Sequence, residues 1–193
     1  MTMLSKLSPS ITTMIRTDHS HVLMAFHRYH ADLSPAVKEG LVHHVCLALE
    51  VHAQLEEEIF YPAMEAVGAD STVTEKSVPE HAEMRRLIGI LRDLEPTDAT
   101  YDSTFNALMR DVMHHVADEE TSLLPAAEQL LADRLQELGA QMTKRRMQLM
   151  APHAGELAVD TMKAMPASKM LMVAGAVLAG TYVAKRSWDH RHH

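Results

Sequence analysis

His52-Ala53-Gln54-Leu55-Glu56-Glu57-Glu58-Ile59-Phe60-Tyr61-Pro62 and His115-Val116-Ala117-Asp118-Glu119-Glu120-Thr121-Ser122-Leu123-Leu124-Pro125 share one pattern. Each has a histidine, a glutamate four residues on, a second acid, and a proline six residues after the first glutamate. In a helix the i, i+4 spacing stacks imidazole and carboxylate on one face, about 6 Å apart along the axis. Upstream of each run stands an acid–histidine pair, Asp18-His19 and Glu80-His81. The interval from His19 to His52 is 33 residues and from His81 to His115 is 34. The chain before residue 126 therefore reads as two helical hairpins of one design.

Five helical segments follow from the apolar period. The first spans about Ser10 to Asp32, with stripe Ile15, His19, Val22, Phe26, Tyr29, Leu33. The second spans about Pro35 to Met64, with Val42, Val45, Leu49, His52, Glu56, Ile59. The third spans about Val78 to Leu94, with His81, Met84, Ile88, Leu91, and Ser77 to Glu80 read as its capping box. The fourth spans about Thr100 to Leu124, with Phe105, Leu108, Val112, His115, Glu119. The fifth, Ala126 to Met150, is amphipathic, with a weak point at Gly139. Spacings of three and four are those of core-facing bundle seams. The fold class is all-α: an up-down-up-down four-helix bundle, an additional C-terminal helix and an apolar tail. The bundle occupies residues 10–150, a linker 151–169, and the tail 170–193.

Symmetry about the turns fixes depth. The midpoint of His19 and His52 falls at Pro35, that of His81 and His115 just past Glu95-Pro96-Thr97, and that of His52 and His81 beside Gly68. Four histidines thus share one layer, with Glu56 and Glu119 one turn on. Buried carboxylates require paired charges or a metal. No lysine lies on any stripe, and one arginine near the site, Arg85, does not neutralise two carboxylates. The expected metal ligands are His19, His52, Glu56, His81, His115 and Glu119. Imidazole with carboxylate suits iron, manganese or zinc. Two imidazoles, shared carboxylate oxygens and a bridging oxygen leave one position open on each of two ions. Asp18, Glu80 and Asp111 are candidates to hold ligand imidazoles by their outer N–H. Arg85 could hydrogen-bond a bound anion at the site, but reads better as the ion-pair partner of Glu119 or of a surface acid. His21, His27, His30, His43, His44 and His114 fall off the seams and are expected in water.

Taken together, Asp-His, His-x3-Glu, Glu-His and His-His-x3-Glu-Glu on successive helices resemble the hemerythrin-like (HHE cation-binding) domain over about residues 13–125. The resemblance implies that the six residues hold two iron ions. It departs from oxygen-carrying hemerythrins at Arg85, where they have another histidine, and at Glu119, where they have an aspartate one residue later. Simple reversible oxygen carriage is thereby disfavoured. Binding of, sensing of, or reaction with O2, H2O2 or NO under oxidative stress gains ground. A store or sensor without turnover, and a membrane-tethered helical interaction module, are the alternatives. No catalytic acid or nucleophile is visible apart from the metal site, so enzyme status stays open, with peroxide- or NO-handling di-iron chemistry as the expected activity of an enzyme.

Net charge is −8, and the basic residues are scattered apart from Lys144-Arg145-Arg146, so no nucleic-acid surface is expected. Histidine numbers 14, ten of them before residue 116. The lone cysteine, Cys46, reads as a core residue. With no signal-peptide core, the chain is expected in the cytoplasm. Met170 to Ala184, flanked by Lys169, Lys185 and Arg186, is about 22 Å as a helix, short for a bilayer core of about 30 Å. It either attaches the protein to the inner face of a membrane or packs on the bundle or on a second copy of the chain.

Overall fold

The computed structural model describes residues 8–155, with 159 and 160. The proposed tail contact through 170–184 lies outside the described residues. Helix α1 is Ile11–His27, capped by Ser10, whose hydroxyl accepts the Thr13 N–H at 3.1 Å. Helix α2, Pro35–Leu55, runs into a π-helical turn, Glu56–Phe60, and on into α3, Tyr61–Glu65. Helix α4 is Thr72–Asp93. Helix α5, Tyr101–Asp118, meets a second π turn, Glu119–Leu123, and continues as α6, Leu124–Leu130. Helix α7 is Leu135–Met150. No strand occurs among the described residues.

Both π turns begin at a glutamate of the repeated motif and end just before its proline. Pro62 and Pro125 lack an N–H, and in an unbroken α-helix each ring would press on the carbonyl four residues back. The wider turn relieves that clash and keeps the rod going, with Tyr61 N–H and Leu124 N–H donating to the Glu56 and Glu119 carbonyls. Pro125 therefore does not end the fourth rod, as the sequence reading had it. The rod ends at Leu130, and residues 126–130 belong to it and not to the fifth helix. The capping box also fails. Helix α4 starts six residues earlier, where Asp70 accepts the Thr72 N–H at 2.9 Å. Pro79 sits inside the helix, and Ser77 is buried there and hydrogen-bonded to Tyr61.

Gly68, at φ +68°, turns the chain after α3, and Ala69 N–H closes back onto the Met64 carbonyl. The other informative glycine is Gly139 of α7. A Cβ there would lie 2.0 Å from the Pro9 carbonyl oxygen, so this position is a close crossing of two segments. Helix α7 lies across α1 and α2, and α4 packs chiefly on α5. Residues 151–153 form a 3-10 turn, and Asp160 is buried 3.6 Å from His43.

The core is two apolar clusters. One gathers Ile11, Ile15, Leu55, Phe60, Met64, Leu124, Leu138 and Met142 around the π turns and α7. The other gathers Val22, Val42, Leu49, Met84, Ile88, Phe105, Leu108 and Val112. Cys46 is buried in the second, where burial pushes its thiol up to about 12. A polar layer separates the clusters.

Candidate metal centre

That layer contains the six expected residues, His19, His52, Glu56, His81, His115 and Glu119, all buried. One group brings His19, His52, Glu56 and Glu119 together, and a second brings Glu56, His81 and His115. Glu56 faces both histidine pairs. Its Oε1 is 3.3 Å from His52 Nε2, and its Oε2 is 3.4 Å from His81 Nε2 and 3.8 Å from His115 Nε2. Glu119 Oε2 is 3.3 Å from His19 Nε2 and 3.7 Å from His115 Nε2.

The outer nitrogen of every imidazole meets a carboxylate. His52 Nδ1 is 3.3 Å from Asp18, and His115 Nδ1 is 3.0 Å from Glu80. His19 Nδ1 is 2.9 Å from Glu120, and His81 Nδ1 is 2.9 Å from Glu57. Such partners fix the tautomer with Nδ1–H outward and the Nε2 lone pair inward. Each carboxylate in turn has a cation: Arg146 on Asp18, Arg85 on Glu57, Lys76 on Glu80 and Arg16 on Glu120. The outer ring is charge-balanced, and the two inner carboxylates are not.

The inner atoms fit a bound cation. His19 Nε2, His52 Nε2, Glu56 Oε1 and Glu119 Oε2 are buried without a hydrogen-bond partner. His81 Nε2 and His115 Nε2 face one another at 3.2 Å, with both outer nitrogens already on carboxylates. Two lone pairs at that distance require a proton or a metal between them. Protonation is what the metal-free cluster falls back on. Burial opposes the charge on His115, but the Glu56 hydrogen bond and the charges of Glu119 and Glu56 raise it to about 9. His52 is raised against burial by Glu56 and Asp18. Burial works against ionised Glu56, yet His52, His115 and His81 hold its carboxyl well below the ordinary range.

Of the residues expected to hold imidazoles, Asp18 and Glu80 stand where the sequence put them. Asp111 does not: its carboxylate faces Arg110 at 4.0 Å. Arg85 makes a fork on Glu57, at 3.0 and 2.8 Å, so its partner is a surface acid and not Glu119. Glu57, Glu120, Arg16, Lys76 and Arg146 were not foreseen in these roles. The doubled acids Glu56-Glu57 and Glu119-Glu120 carried the signal for two of them. Tyr61 was also missed. Its buried hydroxyl donates to Glu119 Oε1 at 2.9 Å and lies 3.2 Å from Glu56 Oε2, and its ring stacks on His81 at 5.9 Å. In a regular α-helix an i, i+5 residue points about 140° away from residue i, and the π turn brings it round. Of the off-seam histidines, His43 is half-buried and His21, His27, His30, His44 and His114 are exposed.

A cavity of about 10 Å³ adjoins the four imidazoles, closed by Val22, Leu49, Met84, Val112 and Val116. It has room for about one water-sized molecule.

Comparison with known proteins agrees with this geometry. The hemerythrin HHE cation-binding domain matches residues 10–127 and again 72–166, the second match starting at α4, the repeat's counterpart of α1. A solved HHE cation-binding domain-containing protein from Mycobacterium kansasii superposes with a TM-score of 0.64 at 17% identity, over 80% of this chain and 99% of its own, a likeness of fold. An uncharacterised protein of Mycobacterium tuberculosis is 30% identical over 124 residues, 62% of this chain and 73% of its own length. A DNA nickase of Nostoc sp. is 27% identical over 121 residues, 63% of this chain, which spans only 34% of the nickase. This chain belongs to the hemerythrin HHE cation-binding domain family and is a metal-binding protein of helical-bundle fold.

Proposed function

We propose that His19, His52, Glu56, His81, His115 and Glu119 hold two iron ions and that the protein binds, senses or reacts with O2, H2O2 or NO there. The observation that carries this reading is the apolar cavity of about 10 Å³ against the four imidazoles. A space of that size turns away an organic substrate and restricts any ligand to a very small molecule. When bound, a pair of iron ions supplies redox-active centres with positions open to a small ligand. The chain supplies the rest. Asp18, Glu57, Glu80 and Glu120 orient the imidazoles, Glu56 ties the two pairs together, and the valines, Leu49 and Met84 keep bulk water out. Tyr61 holds an O–H against the carboxylates on the His81 side.

Metal analysis of the purified protein checks the first half. Two irons per chain and a ligand-to-metal band in the near ultraviolet are expected, and manganese or zinc in their place would redirect the chemistry. Addition of peroxide or NO checks the second half. A band that changes with ligand consumption means turnover, a change without consumption means sensing, and no change leaves an iron store.

A further inference from the structure

Four cations back the four carboxylates that hold imidazoles, and three come from the four-helix bundle itself. The fourth, Arg146, comes from α7. Its Nη1 donates to Asp18 Oδ1 at 2.9 Å and its Nη2 to Oδ2, a fork that fixes the plane of the carboxylate. Asp18 Oδ2 is in turn 3.3 Å from His52 Nδ1. The Arg146–Asp18 pair is half-buried, with side chains 30% and 16% exposed. Its counterpart in the second hairpin, Lys76, is 58% exposed, lies 3.4 Å from Glu80 and is shared with Asp118. Arg146 Nε is buried with no partner, so the arginine is held inward although one N–H goes unsatisfied. The neighbouring Arg145 also ties α7 to the bundle, through Glu58, but that glutamate touches no imidazole among the described contacts.

We propose that Arg146 is a positioning residue for His52, so that α7 and the metal at the His19–His52 position are energetically coupled. The inference rests on the metal-centre reading above and deepens it. Coupling is reciprocal: an engaged α7 tightens this metal, and this metal tightens α7. Among the described residues, no link of this kind joins the His81–His115 position to α7. The six expected ligands lie on the first four rods; α7, which carries none of them, senses whether one of the two positions is filled.

The test uses the full chain loaded with two equivalents of zinc, a diamagnetic probe of both positions. Release into a chelator is followed, with ¹⁵N-histidine spectra identifying which imidazoles are freed. Arg146→Met is expected to speed loss from His19 and His52 about tenfold, the lower end of what loss of an outer partner does. Loss from His81 and His115 should change less than twofold. Arg146→Lys, which keeps the charge without the fork, should fall between. Arg145→Met, which removes a comparable tie of α7, should leave both positions within twofold. Amide exchange in α7 should slow on zinc loading in the wild type and not in Arg146→Met. Equal acceleration at both positions, or an equal effect of Arg145→Met, would reduce Arg146 to a structural prop and overturn the proposal. Unchanged release from Arg146→Met overturns it also, with the metal centre intact. Wild-type protein that takes up no zinc overturns the metal-centre reading and this inference with it.

Discussion

The first hairpin, α1 with the α2–α3 rod, and the second, α4 with the α5–α6 rod, place their inward histidines and glutamates by the same rules and surround them differently. In each, an acid beside the first histidine holds the imidazole across the hairpin: Asp18 holds His52 and Glu80 holds His115. In each, the second glutamate of the motif reaches the other hairpin: Glu57 holds His81 and Glu120 holds His19. A π turn starts at Glu56 and at Glu119. The symmetry breaks one step further out. Tyr61 stands where the second hairpin has Leu124, and Arg146 from a fifth helix stands where it has Lys76. Duplication explains a pair of buried imidazole–carboxylate groups, and the unduplicated residues make the two groups unequal: Arg146 of α7 reaches the acid behind His52, and the Tyr61 ring stacks on His81.

The sharpest way to break this picture is to remove one inner carboxylate at a time. Glu56 directs an oxygen to each histidine pair, whereas Glu119 offers one, its other oxygen being taken by Tyr61. Glu56→Ala is therefore expected to lose both ions, with affinity down at least about 100-fold. Glu119→Ala should retain roughly one ion per chain. Metal analysis after gel filtration reads both, and equal retention by the two variants would show that the hairpins contribute alike.

Acidity tests what the hairpins share. In the metal-free protein, His52 of the first and His115 of the second are both raised, His115 from 6.5 to about 9. A raised folded value gives stability that is complete below about pH 6.5 and lost as pH climbs through about 9, on the order of 3 kcal/mol for His115. Glu56, Asp18 and Glu57 are held low, so their share is present above about pH 4.5 and lost on acidification. The apo bundle should be most stable between those limits. Metal affinity should run the other way, rising from pH 6.5 to 9 as imidazoles give up protons. Denaturant melts of apo and loaded protein across that range check the opposed slopes.

A third comparison concerns the cover on the first hairpin alone. Gly139 of α7 meets the Pro9 carbonyl at the head of α1, so Gly139→Ala should cost about 1–3 kcal/mol. Gly89 of α4 opens onto free space, and Gly89→Ala should gain up to about 1 kcal/mol from helix propensity. Thermal melts of the two variants should shift in opposite directions.

The repeat and the turn positions made the ligand layer legible, because helix period and hairpin symmetry are properties of spacing alone. Asp18 and Glu80 were legible for the same reason. Asp111 was misread because its i, i+4 spacing to His115 does not say which acid reaches the outer nitrogen: Glu80 takes it from the neighbouring helix, and Asp111 faces Arg110. The start of α4 was misread because Ser77 and Glu80 look like a cap, while the real start is an Asp70 turn upstream. Arg146 was beyond reach, since nothing local in Lys144-Arg145-Arg146 says which of three cations crosses to α1. Pro125 was read as a break and Pro62 was passed over, and spacing alone did not show the π turns that accommodate both, the first of which brings Tyr61 to the site.

Tyr61→Phe isolates that last difference, because it deletes one oxygen and keeps the ring stacked on His81. The hydroxyl gives one donor to Glu119 Oε1, and burial together with the charges of Glu56 and Glu119 pushes its own ionisation far up. It is therefore a permanent donor at any working pH. A hydrogen bond to a charged acceptor contributes about 1.5–3 kcal/mol, and in the metal-free variant part of this returns as relief between close carboxylates. A loss of about 1–2 kcal/mol in denaturant melts of the apo protein is expected. In the loaded protein, release should change less than tenfold and at both positions, because the hydroxyl donates to Glu119, whose other oxygen faces His19 and His115. A change confined to the His81–His115 position would mean that the hydroxyl acts through Glu56 Oε2 and not through Glu119.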